Sequence, residues 1–284
     1  MAKKILLLGN TGKMGLALEE ILKEDYIIIG KNSGDFDATN FNETENMIKQ
    51  IEPEILINTV AFLGIDRCEK NPTKALKLNT LYPKLLAKLS KERNFLLLHF
   101  STDSVFDGKK NDFYVESDNP KPLNIYGLTK YGGDCFIQSI ARKYYILRLS
   151  LLFGESRKKN QFVEKILQKI EEGNKVVRIA NDVIASPSYS KDIAKKTKKI
   201  LENSLPFGLY HVANKGKATL FEIVSEIINE SNQNVEVKRA SYKDFPYIGT
   251  KNINTPLKSE KIESLRTWKE AVKDYVKDLK SNKN

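Results

Sequence analysis

The chain has 284 residues, 40% hydrophobic and 29% charged, the balance of a globular protein long enough to bury a sizeable core. No apolar run approaches the ~20 residues of a membrane span, and two cysteines with two histidines exclude a disulfide framework or cysteine zinc cluster and leave little for a histidine metal site. The net charge of +11, from 47 basic against 36 acidic residues, is spread over lysine-rich helices without interleaved aromatics, which argues against nucleic acid and for a solvated surface that attracts phosphorylated small molecules.

In chain order, residues 4–8 (KILLL) read as a buried strand, after a start too short in apolar residues for a signal peptide. A cytoplasmic protein is therefore expected. Residues 14–23 place Met14, Ala17, Leu18, Ile21 and Leu22 on one helical face. Tyr26–Ile29 is a second strand, Met47–Ile51 marks a helix ended by Pro53, and Ile55–Thr59 is a third strand. A long helix is predicted over 73–92, a fourth strand over 95–100, a helix from Tyr126 to about Ala141, and a fifth strand over 145–149. Apolar runs without alternation, separated by helices, predict an α/β fold with a Rossmann-like doubly wound parallel sheet. Further on, helices are expected near 162–170, 190–202, 219–229 and 268–279, and short strands near 176–179, 208–212 and 235–238. The dinucleotide-binding domain is drawn as 1–152 with returns near 175–200 and 217–236, and residues 153–284 as mainly a smaller, interleaved substrate-binding lobe. Lys277–Asn284 reads as a frayed tail.

The first strand runs into Gly9-Asn10-Thr11-Gly12-Lys13-Met14-Gly15 and then a helix. A strand, glycine turn and helix let the backbone approach a pyrophosphate, whose charge sits at the helix N-terminus. The turn lacks the G-K-[ST] of a phosphate-transfer loop. After the second strand there is no carboxylate until Asp35, while Lys31 offers a cation to a 2′-phosphate. NADPH is therefore preferred over NADH. Asp35, Phe36 and Asp37 are placed toward the adenine, and Thr59, Val60 and Ala61 where the dinucleotide crosses the third strand.

The fourth strand ends in Ser101-Thr102-Asp103-Ser104-Val105-Phe106-Asp107-Gly108, and Tyr126-Gly127-Leu128-Thr129-Lys130 follows. Tyr126 and Lys130 are one helical turn apart, on one face. That spacing alone describes an ordinary surface pair. Beside a cofactor crevice it describes carbonyl reduction, in which a hydroxyl orients the carbonyl, a phenol gives the proton and an ammonium lowers the phenol's pKa.

These stretches, with L-N at 78–79, L-R-L-S-L-L-F-G, A-S-P-S-Y-S-K-D-I-A and G-L-Y-H-V-A, resemble an extended short-chain dehydrogenase/reductase and, more narrowly, the dTDP-4-dehydrorhamnose reductase family. S-T-D-x-V-F-D-G followed by P-L-N-x-Y-G-x-T-K is its most specific signature. The resemblance implies NAD(P)H-dependent reduction of the C4 ketone of a dTDP-linked 6-deoxysugar, in the supply of surface polysaccharide precursors. It assigns Thr102 as the hydroxyl, Tyr126 as the acid and Lys130 as its partner, the last also holding the cofactor ribose. Asn79 and Ser101 are placed beside the cofactor, Ser101 also packing the strand. Asp103, Ser104, Val105, Leu151 and Ser186 are expected toward the substrate. Asp66 and Glu69 are read as structural, and Asp192 as a cap of the following helix. The resemblance also allows Mg²⁺ and a homodimer, although no acidic metal cluster is visible. Ser104, and the leucines at 151–152, stand where the family carries large side chains, which bears on the sugar rather than on the reaction. The alternatives are another nucleotide-sugar epimerase or reductase, and a non-catalytic NADP-binding subunit like that of methionine adenosyltransferase.

Overall fold

The opening apolar run forms β1 (Lys4–Leu8) in the computed structural model, which describes residues 2–157 and 161–281. There follow α1 (Lys13–Leu22), β2 (Ile27–Lys31), α2 (Phe41–Ile51), β3 (Ile55–Asn58), α3 (Ile65–Lys70), α4 (Pro72–Leu76), α5 (Tyr82–Arg93), β4 (Leu96–Thr102), α6 (Ile125–Ile140), β5 (Tyr144–Leu149) and β6 (Leu152–Phe153). The remainder comprises α7 (Phe162–Glu171), β7 (Val176–Ala180), β8 (Ile184–Ala185), β9 (Ser188–Tyr189), α8 (Ser190–Glu202), β10 (Gly208–His211), β11 (Ala218–Thr219), α9 (Leu220–Glu230), β12 (Glu236–Ala240) and α10 (Trp268–Ser281).

Six strands make one parallel sheet in the order β10-β5-β4-β3-β1-β2. Parallel neighbours require crossovers, and the helices cover both faces. Leu18 and Leu22 of α1 with Ile193 and Ala194 of α8 fill one side, and Ile48, Leu86 and Ile137 of α2, α5 and α6 fill the other. The order reverses between β1 and β3. A cofactor crevice in such sheets opens outside the strand carboxyl ends at that switch point. The glycine turn after β1 and Thr59 after β3 both stand there.

A second core joins Val163, Val177, Ile179, Ile223, Val224, Ile227 and the α10 stripe Trp268, Ala271, Val272, Tyr275 and Val276. α8 and β10 make the return to the sheet, whereas residues 217–236 supply β11 and α9 to this second core. Residues 277–281 continue α10 rather than fraying, and the last three residues of the expected tail lie outside the described residues.

The helix predicted over 73–92 is divided. Lys77–Leu81 forms a π turn, closed by Tyr82 N–H bonding back to the Lys77 carbonyl. Pro83 has no N–H to return to the Asn79 carbonyl, and Gly133 of α6 sits so close to that oxygen that a Cβ there would lie 2.4 Å from it. The strand expected over 95–100 runs on to Thr102, which delivers both hydroxyls of Ser101 and Thr102 in extended backbone.

Candidate active site

Gly9 has φ +86°, and the Gly9 N–H bonds to the Lys31 carbonyl at 2.6 Å. The positive φ and a Thr59 Oγ1 that would stand 2.4 Å from any Cβ both demand glycine. Thr59 Oγ1 donates toward the carbonyls of Leu8 and Gly9 at 2.9 and 3.1 Å, so it pins the two strand ends together. At Gly15 a Cβ would lie 2.3 Å from the Gly9 carbonyl, which makes it the contact that lets α1 start so near the strand. Gly12 is different: a Cβ there would meet only the Gly9 carbonyl, at 3.3 Å, and would otherwise project into open space. That open backbone at the N-terminus of α1 is a cradle that fits a pyrophosphate.

Around the turn, Asn10 accepts from Asn32 at 3.3 Å and packs on Gly30. Thr11 is partly exposed, whereas Met14 belongs to the sheet core. Lys31 is half-buried, 4.0 Å from Asp35, whose carboxylate also accepts the Asn32 N–H. Phe36 packs against the sheet core that holds Leu6, Leu8 and Ile48. Asp37 bonds to Thr39 and faces water. Lys13, expected at the cofactor, instead turns away: it is buried, pairs with Glu164 of α7 at 2.9 Å and donates to the Leu152 carbonyl at 3.2 Å.

Beyond β3, Asn58 Oδ1 accepts the Val60 N–H. Buried Asn79 in the π turn grips Phe62 through both main-chain groups, at 2.8 and 3.0 Å, and reaches Thr129 of α6 at 3.2 Å. Asn79 thus holds the Thr59–Phe62 crossing, including Ala61, against the helix that carries Tyr126. Ser101 is buried and donates to Asp134, in keeping with strand packing.

Tyr126 is half-buried, and Thr102 is the nearby hydroxyl that favours its ionised form. α6 reaches this position because Gly127 lies against the Ser104 carbonyl, where a Cβ would come within 2.1 Å. Asn124 caps the helix by accepting the Gly127 N–H at 2.8 Å. Thr102 Oγ1 accepts the Ser104 N–H and donates to Asp103, each at 3.1 Å. Burial, joined by Asp103, Cys68 and Asp134, pushes the phenol's pKa up against the pull of Thr102. The tuning cation expected of Lys130 is not at the phenol. Lys130 Nζ donates to the Phe100 carbonyl at 2.6 Å and lies 3.1 Å from His99 Nε2, and burial lowers its pKa to about 8. No spacing rule brings His99 or Asn58 to this lysine; the strand register and helix packing do.

On the substrate side, Asp103 accepts from Ser150 and Thr255, both at 2.8 Å, and so ties the end of β4 to two distant segments. Burial raises its pKa against those bonds. Ser104 and Leu151 are partly exposed. Val105 has no surface to offer a substrate, being packed with Phe106, Tyr114 and Leu257. Ser186 is likewise fully buried, its hydroxyl donating to the Leu257 carbonyl and accepting its N–H. Both support the wall behind the crevice. Asp192 is no cap: it receives Arg266 at 2.8 and 2.9 Å, and Asn214 at 2.7 Å. Asp66 and Glu69 bond main-chain groups of Ile248 and Ile125, both at 2.9 Å, as structural residues do.

The magnesium expectation finds no carrier. Among the described residues no three His, Cys, Asp or Glu side chains converge. Where the carboxylates of Glu20 and Asp278 do approach one another, the Lys191 ammonium lies 2.8 and 3.0 Å from them and neutralises both. Among the described residues no helix is long and apolar enough to cross a membrane.

The chain is similar to known proteins along nearly its whole length. It is 29% identical to the spore coat polysaccharide biosynthesis protein SpsK of Bacillus subtilis, over 98% of each chain. It is 28% identical to dTDP-4-dehydrorhamnose reductase of Aggregatibacter actinomycetemcomitans, over 95% of this chain and 97% of that one. The crystal structure of dTDP-4-dehydrorhamnose reductase from Bacillus anthracis in complex with NADP superposes with TM-score 0.92 at 28% identity, covering 98% of this chain and 100% of the other. The model of the RmlD substrate binding domain matches residues 3–281, and the chain belongs to that family.

Proposed function

We propose that the protein reduces the C4 ketone of a dTDP-linked 6-deoxysugar, dTDP-4-dehydrorhamnose, with NADPH, in dTDP-rhamnose synthesis. The reading rests on the Thr102–Tyr126 hydroxyl pair at the mouth of the crevice that starts at Gly9–Gly15. It is supported by full-length similarity to reductases of that name and by the NADP held by the Bacillus anthracis relative. Bound in the crevice, NADPH supplies a hydride to the ketone carbon. The chain's own part is to hold the ketone oxygen and protonate it. Tyr126 gives that oxygen a proton, and Thr102, its own hydrogen turned to Asp103, bounds the oxygen's seat at the end of β4. A phenol with a raised pKa remains protonated at neutral pH, the form a reduction requires.

The test is direct. Purified protein with NADPH and dTDP-4-dehydrorhamnose is expected to consume the reduced nicotinamide absorbance in proportion to ketone added. A flat trace with intact NADPH binding would reassign the protein as a non-catalytic binder.

The finer cofactor choice rests on Lys31. Its half-buried ammonium after β2 faces no acid closer than Asp35 at 4.0 Å and is free to meet a 2′-phosphate. Lys31→Ala is expected to weaken NADPH about tenfold, the lower range for a charge-assisted hydrogen bond at a partly exposed site, and to leave NADH unchanged. Equal losses for the two cofactors in a fluorescence titration would remove the phosphate assignment.

A further inference from the structure

The deepest polar contact of the site joins Asn58, His99 and Lys130, all buried. The β3–β4 register sets Asn58 opposite His99. Asn58 Nδ2 lies 3.0 Å from His99 Nδ1, and Lys130 Nζ lies 3.1 Å from Nε2. The Val60 N–H donates to Asn58 Oδ1 at 3.1 Å, which fixes the amide with its oxygen toward Val60 and its NH₂ toward the ring.

Proton counting then leaves one arrangement. Burial holds the His99 pKa well below its ordinary value, so the ring is neutral and carries one proton. Nδ1 receives the Asn58 donor, so that proton is on Nε2, aimed at Lys130 Nζ. An ammonium has three donors and no lone pair to accept it; an amine has one. A charged Lys130 would move the ring proton to Nδ1 against the Asn58 NH₂, or turn the amide against the Val60 N–H. Either leaves donor facing donor in a buried site, which costs about 1–3 kcal/mol for the group left unsatisfied.

We propose that His99 is a positioning residue which, with Asn58, holds Lys130 as an amine, so that dinucleotide binding at Lys130 is accompanied by proton uptake there. The proposal rests on the reading of Lys130 as the ribose-binding partner of Tyr126. Of the ionisable groups packed here, Asp134 on α6 acts on Lys130, and Asp103 at the end of β4 and Cys68 on α3 act with Asp134 on Tyr126 one turn away. Asp134 favours the ammonium, but Arg148 already engages its carboxylate, with Nε and Nη2 both at 3.1 Å. The π turn and α5 present Asn79 and Thr80 here, and Lys84 lies over Phe136 farther along α6. The lowering of Lys130 to about 8 by burial agrees with the count.

Because the chain has two histidines, ¹⁵N-histidine labelling yields two ring systems, and His211→Gln assigns them. Without added dinucleotide at pH 8.5, His99 is expected to carry its proton on Nε2 with Nδ1 bare; the opposite tautomer overturns the proposal. Calorimetry of NADP⁺ binding at pH 8.5, in buffers of different ionisation heat, is expected to show uptake of about three-quarters of a proton in the native protein. Asn58→Leu frees Nδ1 to hold the ring proton and lets Nε2 accept from an ammonium, so the uptake should fall at least twofold. Uptake equal in the two proteins counts against the proposal. The tautomer is read without turnover or cofactor. A protein that shows the expected ring but no reductase activity would therefore fail the functional reading alone.

Discussion

Tyr126→Phe lowers kcat by about 10²–10⁴, the range of a positioned general acid, with NADPH affinity nearly unchanged. The substitution removes one oxygen and leaves the ring, which packs with Phe62, Cys68, Ala75 and Leu78. The fold and the crevice should therefore survive it. Thr102 cannot take over as acid, because its own hydrogen is directed to Asp103 at 3.1 Å. Lys130 is directed to the Phe100 carbonyl and His99. With no neighbouring donor aimed at the ketone oxygen, the lost proton has to come from water. Steady-state turnover with the ketosugar, beside a fluorescence titration with NADPH, separates the two effects. Turnover at the native rate would remove Tyr126 from the chemistry.

Gly12→Val is expected to weaken dinucleotide binding by on the order of a hundredfold or more, nearly 3 kcal/mol, while the protein stays folded. Gly12 has φ −78° and ψ 168°, backbone that a β-branched residue adopts without strain. Its added side chain would touch the protein only at the Gly9 carbonyl and would otherwise fill the space assigned to the pyrophosphate. Gly15→Val is the control with the opposite outcome. There the new atoms would lie 2.5 Å from Asn10 Cα and 2.3 Å from the Gly9 carbonyl, so the turn itself breaks. Thermal melts distinguish the pair: the first variant melts close to the native protein, and the second melts early. Native affinity in Gly12→Val would show that the cradle lies elsewhere.

The sheet and the sequence of its helices were legible because doubly covered parallel strands are written as unbroken apolar runs. Ile5–Leu8 and Phe95–Leu98 carry that signal without interruption. The hydroxyl, phenol and glycine stretches were legible because each is local. What escaped depends on pairs far apart in the chain. Lys130 meets His99 across 31 positions and Lys13 meets Leu152 across 139. The π turn escaped because it preserves an apolar face and shows itself only through the missing N–H of Pro83. Val105 and Ser186 were placed toward the substrate by their neighbours in sequence, but their side chains belong to the packing layer behind it.

Lys13 has one further consequence. Its ammonium leaves the dinucleotide turn to be neutralised by Glu164 of α7, with both side chains almost fully shielded. A buried cation stripped of its counter-ion destabilises a protein by about 3–5 kcal/mol. The two halves are consequently not interchangeable parts. A hybrid that grafts a relative's second half onto this opening half inherits a stranded charge unless position 164 keeps an acid or position 13 is neutralised with it, so recombination between relatives is constrained by a residue whose ammonium turns away from the glycine cradle.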